Sequence, residues 1–228
     1  MSTSSIKILD LNGFDLVRNA VKPEDVRMLC EVLEPLTERG AAAGLRALLR
    51  NSPEVREFAE RFRRDFVSAF VGANVFPVRA ILFDKTPVTN WYVTWHQDLT
   101  IPVRERVEVD GFRAWSEKDG VVHVQPPAEV LGRVVAARIA LDPCGIANGA
   151  IKFIAGSHGH GIMDDTTIAE WRDTRQHVDV PCEVGDTILM RPLILHASSK
   201  AEDASSRRVL HIEYATGELP GGLTWAQC

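Results

Sequence analysis

The sequence predicts a mainly β fold, a sandwich or barrel, buttressed by N-terminal α-helices. Apolar residues recur at helical spacing up to about residue 74 and then change to the shorter period of strands. The strand-like runs that follow are separated by Gly, Pro, Asn and Asp turns. We therefore expect a single domain over residues 1–228, with a mostly helical layer over 1–74 and a β core over 75–228.

Two stretches of the N-terminal part carry helix start signals. KPEDVRMLCEVLEPL has a proline near its first turn followed by acidic residues, and SPEVREFAERFRRDFVSAFVG repeats this signal and ends at Gly72. The apolar residues of the second stretch recur at helical spacing; they are Val55, Phe58, Ala59, Phe62, Phe66 and Phe70. Both stretches are predicted as amphipathic helices.

The β core is predicted from runs rich in β-branched and aromatic residues. These runs are FPVRAILFD, WYVTWHQDL, GVVHVQP, RVVAARIALD, AIKFIAGS, HVDVPCE, DTILMRPLILHAS and RRVLHIEYAT. Between the second and third runs lies the longest connection, residues 99–120, which is predicted as an irregular loop. Long ordered loops are often lids or binding loops, so this segment is expected near a site.

The composition favours a globular protein, since 45% of the residues are hydrophobic and 25% are charged. No apolar run reaches the roughly 18 residues of a membrane span. The polar start MSTSSIKILD lacks the apolar segment of a signal peptide, so we expect a cytoplasmic protein with no membrane contact. The net charge of -5, without basic blocks, argues against nucleic acid as a partner. Four scattered cysteines indicate neither a zinc site nor disulfides.

His96 and Asp98 stand two residues apart in the aromatic run NWYVTWHQDLTIPV. In a strand, residues i and i+2 point to the same face, so a nitrogen ligand and an oxygen ligand lie side by side. Taken alone, the pair also fits a salt bridge within a sheet. With one more histidine, it becomes the two-histidine, one-carboxylate set that suits non-haem Fe(II), because this set leaves positions open for a co-substrate and oxygen.

His196 is the strongest candidate for the third ligand. It ends the apolar run TILMRPLILHASS just before a polar loop, where the mouth of a barrel is expected. The next run can return antiparallel and bring its first residues beside His196. Strand alternation separates its two arginines, and the face that we expect to point inward carries Arg207, Val209, His211 and Glu213. An inward Arg207 would clamp a carboxylate.

The other histidines are expected to be structural. His123, His177 and His211 are interpreted as core or surface residues, and His158 and His160 as members of a glycine-rich turn.

Four motifs, in this order along the chain, resemble the phytanoyl-CoA dioxygenase family of Fe(II)/2-oxoglutarate-dependent oxygenases. They are FDKTPVTNWYVTWHQDLTI, NGAIKFIAGSHGHG, RPLILHASS and RRVLHIEYA, and the resemblance runs from about residue 80 to 216. It implies a double-stranded β-helix, the cupin-like jelly roll, with His96, Asp98 and His196 on iron. It also implies that Arg207 holds the distal carboxylate of 2-oxoglutarate with Ser198 beside it.

The same resemblance implies further pocket residues, a reaction and a set of partners. Lys85, Asn90, Gln97 and Trp115 are expected to line the co-substrate pocket. The reaction is expected to be hydroxylation of a small molecule by O2, with release of succinate and CO2. Related halogenating enzymes have a small residue in place of Asp98, so the carboxylate favours hydroxylation. The sequence gives no indication of the oligomeric state.

Two other functions fit the same residues. A cupin-like metalloenzyme, either an isomerase or a 2-oxoglutarate-independent dioxygenase, would use the barrel without needing Arg207 as a clamp. A non-catalytic barrel that binds a metal or ligand would be expected to lack one of the ligand residues, and none is lost.

Overall fold

The structure of the protein is a computed structural model that describes residues 3–37, 44–86, 90–201 and 207–228. Its α-helices within these residues are α1 (Thr3–Asn12), α2 (Pro23–Thr37), α3 (Leu48–Asn51), α4 (Pro53–Phe62), α5 (Ser68–Val71), α6 (Ala128–Leu131) and α7 (Asp165–Thr174). A π-helical turn, Arg63–Val67, joins α4 to α5, and Ser157–His160 form a 3-10 turn. None of the described helices is long and apolar enough to span a membrane.

The strands come mostly from the second part of the chain. They are β1 (Phe14–Val17), β2 (Val75–Lys85), β3 (Val93–His96), β4 (Ile101–Val103), β5 (Arg113–Lys118), β6 (Val121–Gln125), β7 (Val134–Ala140), β8 (Ile151–Phe153), β9 (Val178–Val180), β10 (Thr187–Met190), β11 (His196–Ser198) and β12 (Arg207–Thr216).

Two antiparallel sheets enclose the interior of the barrel. The larger has the order β1-β10-β7-β12-β2 and the smaller the order β3-β11-β8-β9, while β4-β6-β5 form a third, separate sheet. The predicted jelly roll, mainly β and buttressed by helices, is therefore confirmed. Between the two main sheets lies an apolar cluster that includes Phe153, Met190, Ile194 and Val209.

The N-terminal helices cover the outer face of the larger sheet. The hydroxyl of Ser52 accepts a hydrogen bond from the amide of Val55 and so caps α4, with Pro53 in the first turn. Phe58, Phe62, Phe66 and Phe70 form a continuous ring stack with centroid separations of 5.4, 4.7 and 5.1 Å. These rings belong to the largest apolar cluster of the protein, which joins the helices to β2, β7 and β12. Burial of this layer fixes the sheet that carries half of the cavity wall.

β1 is a strand that the sequence did not predict, inside the part expected to be helical. It pairs antiparallel with β10 at the edge of the larger sheet. Four residues are too few for a period to separate strand from helix.

The prediction of an irregular loop over 99–120 was wrong, because this segment contains β4 and β5. β5 and β6 form a hairpin with positive φ at both turn residues, Asp119 and Gly120. The side chains of β5 are mostly exposed. The strand therefore lacks the apolar alternation by which a half-buried strand is recognised.

The run DTILMRPLILHAS is two strands, whereas the sequence predicted one. β10 lies in the larger sheet and β11 in the smaller, and the chain crosses between the sheets at 191–195. Pro192 lies in this crossing, where the amide of Ile194 donates to the carbonyl of Arg191 in a turn. A proline has no amide hydrogen to give to a ladder, which favours a break there.

Candidate active site

The smaller sheet brings His96 and His196 directly together. The two residues are partners in the register of β3 and β11, and their ring centroids are 4.1 Å apart. Asp98 follows β3, and its amide donates to the carbonyl of Pro192 at 2.9 Å. Its carboxylate oxygens lie 3.9 Å from His96 Nε2 and 3.7 Å from His196 Nε2. One potential donor atom from each residue thus lies within 4.8 Å of the others.

Backbone carbonyls orient both imidazole rings. His96 Nδ1 lies 2.8 Å from the carbonyl of Thr94, and His196 Nδ1 lies 3.0 Å from that of Ile194. A carbonyl only accepts, so Nδ1 carries the proton in both rings and Nε2 is left as the free donor atom. Both Nε2 atoms face Asp98, which is the arrangement that metal-binding histidines require.

Burial and charge set the protonation states of this trio. Burial and the neighbouring His96 lower the pKa of His196 to about 3, so this ring is neutral at pH 7 and keeps its lone pair. Burial opposes the ionisation of Asp98, but electrostatic interaction with the nearby imidazole groups of His196, His211 and His96 and with the guanidinium of Arg79 outweighs it, so the pKa of the carboxyl group is lowered. With the Nδ1 protons directed at the carbonyls of Thr94 and Ile194, the trio offers two Nε2 lone pairs and one carboxylate.

A second group, Asp98, His211 and Glu213, also has donor atoms within 4.8 Å of one another. Glu213, however, already forms a buried ion pair with Arg79, and its Oε1 lies 3.4 Å from His211 Nε2. A cation there would have to compete with the guanidinium of Arg79. The trio of His96, Asp98 and His196 has no such competitor among the described residues and fits a divalent metal better.

One cavity of about 180 Å³ contains the trio and extends between the two sheets. A cavity of this size has room for several water molecules or for one small organic acid. Its walls come from both main sheets and include Arg79, Ile81, Phe83, Lys85, Trp91, Arg138, His196, Ser198, Arg207, His211 and Glu213.

Lys85, Ser198 and Arg207 form a cationic group at one part of this cavity. Lys85 Nζ donates to Ser198 Oγ at 3.0 Å and to the carbonyl of Ser199 at 2.7 Å. Arg207 Nη1 donates to the carbonyl of Gly149, while its Nε is buried and has no hydrogen-bond partner among the described residues. An unpartnered buried guanidinium nitrogen indicates that a ligand acceptor belongs beside it.

Burial makes the charged forms of Lys85 and Arg207 less favourable. It lowers the pKa of Lys85 to about 8, with further contributions from Arg207 and Arg138. It also lowers the pKa of Arg207. No ion pair of Lys85 or Arg207 with a carboxylate occurs among residues 3–37, 44–86, 90–201 and 207–228. A carboxylate ligand would therefore relieve two buried charges at once.

The alternation predicted for the last strand holds, although its pairing does not. Arg207 lines the cavity, and Arg208 points away and binds Asp142 through Nε and Nη2 at 2.8 Å each. β12 does not return beside His196 but pairs with β2 and β7 in the opposite sheet. Arg207 lies across the barrel from the smaller sheet, where its Nη1 donates to the carbonyl of Gly149 shortly before β8. Its register partner Lys85 contacts Ser198 on β11.

Three residues expected in the co-substrate pocket lie outside the cavity lining. Asn90 bonds the backbone of Ala201 through both side-chain atoms, each at 2.8 Å. Gln97 faces away from its neighbours His96 and Asp98 and donates to the carbonyls of Gly161 and Leu193. Trp115 packs in the apolar cluster under the third sheet, with the Arg106 guanidinium 5.4 Å from its ring. These positions correct the expectation, which had relied on motif position rather than side-chain direction.

Four titratable residues of the cavity were not predicted as site residues: Arg79, Arg138, His211 and Glu213. His211 was interpreted as structural, although the alternation of its strand already placed it and Glu213 on the face of Arg207. Arg79 and Arg138 are lone charges within apolar runs, which was the available signal for a polar interior.

A jelly roll that carries two histidines and a carboxylate between its sheets defines the class of mononuclear non-haem metal enzymes. The chain belongs to the phytanoyl-CoA dioxygenase (PhyH) family, whose model matches residues 9–209, and the membership predicted from the motifs is confirmed. Members of this family use Fe(II) and 2-oxoglutarate.

Solved structures share the fold over nearly the whole chain. AviO1 from Streptomyces viridochromogenes Tue57 has 24% sequence identity and a TM-score of 0.71, with 96% of each chain covered. SnoK, a non-haem α-ketoglutarate-dependent carbocyclase from nogalamycin biosynthesis, has 15% identity and a TM-score of 0.73, with 100% of this chain and 87% of that chain covered. HygX from Streptomyces hygroscopicus, with nickel and 2-oxoglutarate bound, has 16% identity and a TM-score of 0.67, with 95% of this chain and 87% of that chain covered. No curated protein matches the sequence significantly.

Proposed function

We propose that this protein is an Fe(II)/2-oxoglutarate-dependent dioxygenase that hydroxylates a small-molecule substrate and releases succinate and CO2. One observation carries the proposal: the His96, Asp98 and His196 trio and the Arg207, Lys85 and Ser198 group line the same cavity. 2-Oxoglutarate has a metal-chelating end and a distal carboxylate, and this cavity offers a partner for each.

The donor set fits Fe(II). Two imidazole nitrogens and one carboxylate would bind the metal from one side, leaving the other positions open. When bound, Fe(II) with 2-oxoglutarate would supply the oxidising power of the reaction, by coupling decarboxylation of the co-substrate to the activation of O2. The protein's share is to position these groups, to neutralise their charge and to limit water in the cavity.

Each residue of the cavity has a part that follows from its contacts. The carbonyls of Thr94 and Ile194 hold the imidazole rings in the metal-binding tautomer. Arg207 and Lys85 would neutralise the distal carboxylate, to which Ser198 Oγ can donate a further hydrogen bond. Asp98 favours hydroxylation over halogenation, because a carboxylate takes the place that a halide would need.

The testing experiment is an anaerobic Fe(II) titration with and without 2-oxoglutarate. Chelation of the metal by a 2-oxo acid gives a visible metal-to-ligand charge-transfer band, which we expect in the wild type and at far higher 2-oxoglutarate concentrations in Arg207→Ala and Arg207→Lys. Arg208→Ala is the matched control, because Arg208 is the neighbouring guanidinium outside the cavity. If the wild type binds iron but shows no band, 2-oxoglutarate is not the co-substrate, and the cupin-like metalloenzyme becomes the better function.

A further inference from the structure

Arg138 is a third guanidinium in the cavity, on a different strand from Arg79 and Arg207. It lies on β7, where its register partner on β12 is His211. Its guanidinium carbon lies 5.5 Å from the centroid of the Phe83 ring, and its Nη1 lies 3.4 Å from His211 Nδ1. Arg138 therefore reaches across the larger sheet toward the interior that the co-substrate would occupy.

A chain of polar contacts across three strands fixes this guanidinium. Arg79 on β2 forms the buried ion pair with Glu213 on β12, and Glu213 Oε1 lies 3.4 Å from His211 Nε2. A carboxylate accepts, so His211 Nε2 carries the proton and Nδ1 is left to accept from Arg138. The chain runs from Arg79 through Glu213 and His211 to Arg138.

No carboxylate forms an ion pair with Arg138 in the described part of the chain. Burial, followed by the repulsion of Arg207, lowers its pKa to about 10. A guanidinium that is held in a largely buried cavity without a counter-charge is costly, and an anionic ligand is the usual compensation. The cavity thus has more positive charge than one distal carboxylate would neutralise.

The position of His211 identifies which carboxylate Arg138 meets. His211 has a ligand atom within 4.8 Å of one of Asp98 and meets Arg138 through Nδ1, and Asp98 is the carboxylate that acts most strongly on Arg138, so the guanidinium faces the metal trio as well as Arg207. The other end already has Arg207, Lys85 and Ser198. We propose that Arg138 binds the carboxylate of 2-oxoglutarate adjacent to the keto group, so that a guanidinium holds the co-substrate at each end. This inference rests on the proposed function.

The test compares Arg138→Gln and Arg138→Lys with the wild type, Arg207→Lys and a control. Arg133→Gln is the control, because Arg133 precedes the same strand and its Nη1 donates to the exposed carbonyl of Glu218, outside the cavity. Each protein is loaded anaerobically with Fe(II) and titrated with 2-oxoglutarate. The readouts are the dissociation constant and the wavelength maximum of the charge-transfer band. Far-ultraviolet circular dichroism checks that each variant is folded.

Arg138→Gln is expected to weaken binding about ten- to hundredfold, the usual effect of losing a hydrogen bond between charged groups. It should also shift the band, because the lost bond changes the electron density of the chelating carboxylate. Arg138→Lys should restore part of the affinity, and Arg207→Lys should weaken binding without moving the band.

Two results would overturn the inference. Wild-type affinity and band in Arg138→Gln would mean that Arg138 serves another group, such as an anion of the primary substrate. Weakened binding with an unshifted band would place Arg138 at the distal carboxylate. If the wild type itself has no band, the proposed function fails, which is a different outcome from either. If Arg138→Gln is unfolded, Arg138→Lys decides between the same outcomes.

Discussion

The rings of His96 and His196 lie 4.1 Å apart because the two residues are register partners in neighbouring antiparallel strands. Their separation is therefore set by the hydrogen bonds of a sheet rather than by a loop. Asp98, two residues after His96, is fixed by a hydrogen bond from its backbone amide to the carbonyl of Pro192, in the crossing between the sheets. Three donor groups on rigid elements need little reorganisation to accept a metal.

Binding of 2-oxoglutarate is expected to weaken as the pH rises through about 8, the pKa to which burial lowers Lys85 in the free protein. A bound carboxylate would raise this pKa. Affinity is then full below about 8, where free Lys85 is already protonated, and falls above it, where binding must bring in a proton. Dissociation constants measured at pH values on both sides of 8 check this. Lys85→Arg should shift the decline to higher pH, and a flat profile in the wild type would refute the assignment.

Gln97→Ala is expected to destabilise the fold without opening or closing the cavity. The side chain makes two buried hydrogen bonds, to the carbonyl of Leu193 and from the amide of Met163, and a partly buried one to the carbonyl of Gly161, at 2.7 to 2.8 Å. Leaving buried backbone groups unpaired costs about 1–3 kcal/mol each, so we expect a loss of roughly 2–5 kcal/mol. Urea unfolding measures the loss, and 2-oxoglutarate affinity of the folded variant should stay within a fewfold of wild type.

Arg79→Met is expected to destabilise the protein by about 3–5 kcal/mol, the usual cost of leaving one member of a buried ion pair uncompensated. The charge left behind is that of Glu213, which is 3% exposed. Adding Glu213→Gln to Arg79→Met should recover part of the stability, because the remaining group is neutral. Chemical denaturation of the single and double variants tests this, and additive losses would contradict it.

Gly149→Ala is expected to weaken both the fold and the co-substrate site. Gly149 has φ of +71°, and a Cβ there would lie 2.6 Å from the carbonyl oxygen of Ser199. The carbonyl of Gly149 accepts a hydrogen bond from Arg207, so a shift of this turn would also displace the Arg207 guanidinium. We expect a loss of about 1–3 kcal/mol from the strained turn together with a higher 2-oxoglutarate dissociation constant. Gly145→Ala is the control, because a Cβ at Gly145 meets no atom within 4 Å.

The alternation of residues along strands predicted what lies on one face, and this part of the prediction was reliable. It put His96 beside Asp98 and turned Arg207 inward while Arg208 points outward. It could not predict which strands pair. The break at Pro192 moves β11 into the other sheet, so Arg207 and Ser198 line the cavity from opposite sheets and are not neighbours along a hairpin.

The errors come from residues whose roles depend on contacts distant in the chain. Gln97 stands between two predicted ligands, and the alternation of side chains turns it to the opposite side. What it does there depends on partners more than sixty positions away. His211 looks like an ordinary core histidine until Arg79 and Arg138 are placed beside it by neighbouring strands. Such contacts are set by register, which a single sequence determines weakly.

The central claim is that His96, Asp98 and His196 bind the metal, and anaerobic Fe(II) titration by calorimetry tests it most directly. The wild type should bind one Fe(II), His196→Ala should lose binding, and His211→Ala should retain it, because His211 belongs to the competing group of Asp98, His211 and Glu213. Retention in His196→Ala together with loss in His211→Ala would contradict the account and place the metal on that other group.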